Sequence, residues 1–191
     1  MSQLRYLEFK RLMKELQFVE SDLEYQSEIL KISDEEFIKS VNNFLTNYPE
    51  LEQIYQQKKE TFEKILLENK IEIKEEIQEK NILPEAKKLY RKIVKSTHPD
   101  KVINNKLNEL YKLATQAYDD NDMITLYKVL SELEINFEID DNLILEIKDK
   151  VDSLKSQTNL LKSTFTYRWV KCNSTNEKNK IILEFIKTKI I

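Results

Sequence analysis

Apolar residues in the opening segment fall at Leu12, Leu16, Val19, Leu23 and Leu30, steps of four, three, four and seven that put them on one helix face. Polar and charged residues fill the positions between, and the pattern predicts a long amphipathic helix. Ser33-Asp34-Glu35-Glu36 has the form of a capping box, Ser33 as N-cap with Glu36 able to reach back. It predicts a second helix through Phe37, Val41, Phe44 and Leu45, stopped at Tyr48-Pro49. Pro49 suits the first position of a third helix, whose Leu51, Tyr55, Phe62, Leu66, Ile73 and Ile77 continue to about Lys80.

Asn81-Ile82-Leu83-Pro84 is the clearest boundary in the chain. A helix is predicted over 84–97, since Pro99 forbids continuation and biases His98 away from helical geometry. A loop follows to about Asn105. Helix returns over 106–118, pauses at Asp119-Asp120-Asn121-Asp122, and resumes through Ile124, Leu126, Val129, Leu130 and Leu133. Asp140 or Asp141 then caps a helix whose Ile144, Ile147, Val151, Leu154 and Leu161 have coiled-coil spacing and want a partner helix. This stripe and the one from Leu12 to Leu30 suit pairing with each other in one chain or a homodimer. The aromatic stretch Phe165 to Val170 reads as extended, with Tyr167 and Trp169 packed against the long helices, and a short helix starts near Asn176. The expected fold is all-α, in three consecutive regions: an amphipathic helical region 1–80, a central domain 81–135, and a helical region 136–191 with the aromatic segment.

Composition narrows the chemistry. Among 191 residues, 31 basic and 34 acidic side chains leave a net charge of −3, so no global field draws the chain to nucleic acid or anionic membrane, and any basic function is local. No apolar run reaches bilayer length. Cys172 has no second cysteine to pair with and only Lys171 beside it, which reads as an inert thiol, and the alternating start of the chain does not resemble a secretory leader. The expected location is the cytoplasm. The chain has no glycine, which excludes P-loop and dinucleotide fingerprints. One histidine and one distant cysteine do not make a zinc site, and His98 with Asp100 has neither a nucleophile nor oxyanion donors to work with. Neither cofactor nor metal is expected, and the chain is not read as an enzyme.

What remains is the helix over 84–97 and the triplet after it. Leu89, Ile93 and Thr97 share one face, flanked by Ala86, Tyr90 and Val94, whereas Lys88, Arg91, Lys92 and Lys95 share another. One side packs and the other is a compact cationic stripe. It leads directly into His98-Pro99-Asp100, where the proline fixes the backbone and His98 and Asp100 are presented to a partner. An acidic protein groove, nucleic-acid phosphates and plain solvation are the three explanations open to such a stripe.

The run Tyr90-Arg91-Lys92-Ile93-Val94-Lys95-Ser96-Thr97-His98-Pro99-Asp100-Lys101 resembles helix II and the HPD loop of the J-domain family, the Hsp40 or DnaJ-type co-chaperones. The tyrosine, the basic pair, the two apolar positions and the trailing Lys101 fall where that family has them. The resemblance implies that 106–118 is helix III, with Ala117-Tyr118 facing helix II. It implies that Lys88, Arg91, Lys92 and Lys95 dock on an acidic surface of an Hsp70 nucleotide-binding domain. His98, Pro99 and Asp100 would reach the junction of that domain with its linker and substrate-binding domain. There Asp100 would engage an arginine and favour ATP hydrolysis by the partner, for a client the sequence does not identify. The chain departs from the family in lacking the usual first helix and its Tyr-x-x-Leu-Gly opening. The end of the third helix stands in that place, with Ile73, Ile77 or Leu83 expected on the apolar face of helix II. Neither a Gly/Phe-rich segment nor a CxxC repeat is present. The alternative is a helical scaffold or nucleic-acid-binding protein in which the basic helix meets phosphates and the triplet merely stops a helix.

Overall fold

A computed structural model describes residues 3–68, 82–100 and 104–190, and among these the chain is helical without a strand. The elements are α1 (Gln3–Leu45), α2 (Pro49–Glu68), α3 (Pro84–Thr97), α4 (Asn105–Asp119), α5 (Met123–Glu132), α6 (Asp141–Ser163), α7 (Phe165–Lys171) and α8 (Thr175–Ile190). Among the described residues no helix is long and apolar enough to cross a membrane.

α1 corrects the expected break at Ser33, because it runs unbroken from Gln3 to Leu45. Its buried positions explain why. Phe9, Leu12, Leu16, Val19, Gln26, Ser33, Phe37, Val41 and Leu45 are all buried and keep helical spacing through Ser33. The inward face therefore never loses register, and with neither glycine nor proline nearby the capping-box residues remain ordinary helix interior.

The chain divides into two compact units, one of residues 1–17 and 75–151 and one of 18–74 and 152–191. They interleave the consecutive regions 1–80, 81–135 and 136–191, since α1 and α6 each supply residues to both. In the first unit α3, α4 and α5 pack on one another. Their inner faces bury Ala86, Leu89 and Ile93, then Leu110, Ala114 and Ala117, then Leu126, Val129 and Leu130. Phe137 closes this core, edge-on to Phe9 with centroids 5.4 Å apart and tilted against Tyr127 at 5.3 Å. Arg5 pairs with Asp141, and Glu8 with Lys148 at 2.9 Å, so the start of α1 runs parallel to the start of α6. The hydrogen bond and charge of Lys148 hold the Glu8 carboxyl below its ordinary value. Leu83 does not take the expected place on the apolar face of α3, because its side chain is exposed; α4 and α5 cover that face instead. Ile73 and Ile77 lie outside the described residues.

In the second unit Phe37, Val41 and Leu45 of α1 meet Trp169 and Ile181, Ile182 and Ile186 in one cluster. The stretch expected to be extended is the helix α7. Among the described residues no strand is available to pair with it, and a helix satisfies its own main chain. Thr164 caps α7 by accepting from the Tyr167 N–H at 3.3 Å, and the helical turn puts Thr166 and Trp169 on the same buried side. Trp169 packs edge-on to Phe37 at 5.7 Å, in keeping with its expected role as a packing residue. Asp22 accepts from Gln26 at 2.7 Å and pairs with Lys162 of α6 at 3.1 Å, and these bonds lower its pKa.

Candidate functional site

α3 and α4 pack antiparallel, Tyr90 against Tyr118 and His98 against Tyr111, and the His98-Pro99-Asp100 turn follows the end of α3. Pro84 occupies the first turn of α3, where its missing N–H costs nothing, and Glu85 beside it complements the positive helix end. Two bonds hold this end in place. The Leu83 N–H donates to Asn121 Oδ1 at 2.9 Å, and the Tyr127 hydroxyl donates to Glu85 Oε1 at 3.0 Å. Burial, followed by that carboxylate, pushes the Tyr127 hydroxyl well above its usual range.

At the other end Thr97 is fully buried and its hydroxyl donates to the Ile93 carbonyl at 2.9 Å. The His98 N–H makes the last helical bond, to Val94 O at 3.0 Å. His98 itself takes φ −56° and ψ 125°, the extended geometry that a following proline imposes. The helix therefore ends at Thr97 for a covalent reason. The Asp100 N–H donates to His98 Nδ1 at 3.2 Å. The Asp100 carboxylate lies 3.5 Å from the same Nδ1 and is 84% exposed. Asn104 restarts the chain as N-cap of α4, its Oδ1 accepting from Lys106 N at 2.9 Å and Leu107 N at 3.3 Å.

Aromatic contacts close the helix pair. Tyr90 stacks on Tyr118 with centroids 4.5 Å apart, its hydroxyl lies 3.1 Å from Thr115 Oγ1, and the His98 ring stands edge-on to Tyr111 at 5.8 Å. Burial is the main cause of a raised Tyr90 pKa. Tyr90 is thus half-buried and committed within the pair. The basic residues behave differently: Lys88, Arg91 and Lys95 are exposed, Lys92 is half-exposed, and among the described residues none of the four forms an ion pair. Pro99 is exposed and His98 half-exposed, so triplet and cationic face are open to a partner. Lys101 lies outside the described residues.

The sequence reading missed Tyr111, Thr115, Tyr127 and Glu85 as the side chains that fix this geometry. Tyr111, Thr115 and Tyr118 follow one another at helical steps of four and three, a signal that one face of α4 is matched to Tyr90 and His98. The Glu85–Tyr127 bond has no such local signature. Compared with protein-family models, with curated proteins and with solved structures, the chain matches none.

Proposed function

We propose that this chain is a divergent co-chaperone of the J-domain type, acting in the cytoplasm on an Hsp70 that it directs to a client. α3 and α4 serve as helices II and III, and α5, packed against α3, helps hold the hairpin in a chain that has no glycine for the usual first helix. The reading rests on one combination: a cationic face without intrachain ion pairs among the described residues, running into an exposed His-Pro-Asp turn at the end of α3. Lys88, Arg91, Lys92 and Lys95 steer and orient the encounter with an acidic surface, a contribution to rate and register more than to raw affinity. Pro99 holds the turn in one backbone shape, and the exposed Asp100 carboxylate offers two oxygens to a partner guanidinium. Stimulation follows if the turn binds the hydrolysis-competent state of the partner better than its resting state. The reacting groups belong to the partner.

The paired substitution Lys88→Glu with Lys92→Glu tests the docking face. Surface plasmon resonance against ATP-bound Hsp70 should show the association rate lost by about tenfold or more as attraction becomes repulsion, with helical content unchanged. An unchanged association rate overturns the reading. So does tight binding of duplex DNA that vanishes in the Lys variant and is indifferent to Asp100→Asn, because that is the behaviour of a phosphate-binding helix.

A further inference from the structure

The outer face of α1 carries a second row of large apolar side chains. Leu4, Leu7, Phe18, Tyr25 and Ile32 are between 56% and 77% exposed, and they lie on the far side of the unbroken helix from Phe9, Leu12, Leu16 and Val19. Leu4, Phe18, Tyr25 and Ile32 follow at steps of fourteen, seven and seven, and Leu7 stands three after Leu4. Continued in steps of three and four, the same column passes through Arg11 and Lys14 before Phe18, and through Ser21, Glu28 and Glu35 after it, all of them exposed. Apolar side chains in a row at heptad spacing form a coiled-coil seam, here left open to solvent.

Charge along the column selects what covers it. Its charged members are basic before Phe18, as Arg11 and Lys14, and acidic after Ser21, as Glu28 and Glu35. A second copy laid parallel sets like on like, Arg11 on Arg11 and Glu28 on Glu28. A second copy laid antiparallel, with a twofold axis between Phe18 and Ser21, sets Arg11 against Glu28, Lys14 against the Tyr25 ring and Leu7 against Ile32, and each contact occurs twice. At the axis the Phe18 ring meets the small Ser21, and at the ends Leu4 meets Glu35, whose carboxylate keeps its solvent. Arg11 already bonds Glu15 at 3.0 Å and Glu28 bonds Lys31 at 2.7 Å within the helix. These exposed pairs contribute little, and a guanidinium and a carboxylate each have further positions for a partner. We infer that the outer face of α1 pairs antiparallel with the same face of a second copy of this chain, forming a twofold-symmetric dimer. The seam uses no residue of α3 or of the His-Pro-Asp turn, so it stands apart from the co-chaperone reading.

The test uses the full chain. Sedimentation equilibrium should show a concentration-dependent monomer–dimer transition. Phe18→Gln with Ile32→Gln should weaken it by about tenfold or more and leave helical content unchanged, since both side chains are exposed in the single chain. Orientation is read by pulsed electron paramagnetic resonance from a spin label on a single cysteine, introduced as Gln17→Cys or Lys39→Cys in a Cys172→Ala chain. With a rise of about 1.5 Å per residue on either side of the axis, the two labels at position 39 should lie about 60 Å apart in the dimer and those at position 17 within about 20 Å. The inference is overturned by a chain that stays monomeric up to about millimolar concentration, by a dimer that the Phe18 and Ile32 substitutions leave unchanged, or by labels at position 39 within about 20 Å of each other, the parallel result.

Discussion

Ile93 sits fully buried on the inner face of α3, two helical turns after Ala86 and one after Leu89, where α4 and α5 both meet that helix. Ile93→Ala removes three carbons from this position. At about 0.8 kcal/mol for each buried methylene the transfer loss is roughly 2.4 kcal/mol. A residual cavity of up to about 80 Å³ at about 24 cal/mol per Å³ adds as much as ~2 kcal/mol, depending on how far the neighbours relax. The expected cost is therefore about 2.5–4.5 kcal/mol. Native-state hydrogen exchange reads it most directly, as a loss of protection at slowly exchanging amides such as Leu110, Ala114, Leu126 and Leu130. Lys95→Ala, one exposed position on the opposite face, serves as the control and should stay within about 0.5 kcal/mol of the parent. An Ile93→Ala cost under about 1 kcal/mol would refute the packed helix pair, because a side chain that can be removed so cheaply is not enclosed by three helices.

Further outcomes follow from other parts of the molecule. Ser33→Ala should change stability by less than about 0.5 kcal/mol in urea denaturation, because Ser33 is inside a continuous helix; a loss near ~1 kcal/mol would be that of an N-cap. Asn104→Ala should cost about 1 kcal/mol, since its side chain accepts from two amides at the start of α4, and circular dichroism during thermal unfolding detects it. Glu134 adopts φ 55° directly after α5, a left-handed position where Glu134→Gly should stabilise by roughly 0.5–1 kcal/mol. Asp22 and Glu8 have folded pKa values below their ordinary ones, so the Gln26 hydrogen bond and Lys162 pair of Asp22 and the Lys148 pair of Glu8 stabilise the fold above the unfolded carboxylate pKa, and this stability is lost as pH falls through the folded values. Asp22→Asn should accordingly flatten the acid limb of a stability–pH profile and leave the profile above neutrality unchanged in slope.

Features set by covalent constraint or by local spacing were legible in the sequence. Pro49 and Pro84 mark the starts of α2 and α3, Pro99 fixes the end of α3 at Thr97, and the separation of Leu89, Ile93 and Thr97 from Lys88, Arg91, Lys92 and Lys95 survives in the fold. The errors arose where local signals compete with tertiary packing. Ser33-Asp34-Glu35-Glu36 looks like a helix start, but the inward stripe keeps its register through it, and burial decides. Phe165 to Val170 has the composition of a strand, yet the Thr164 cap and the Trp169 contact with Phe37 favour a helix. The ties that aim the triplet, Tyr127 to Glu85 and Leu83 to Asn121, join residues some forty positions apart, and a reading along the chain carries no information about such pairs.

The most direct test of the central claim is single-turnover ATP hydrolysis by Hsp70 in the presence of this protein. The account predicts that the intact chain accelerates the step and that His98→Gln and Asp100→Asn each abolish the acceleration while leaving the helical fold in place. No stimulation by the intact chain, or stimulation that both variants retain in full, would contradict it.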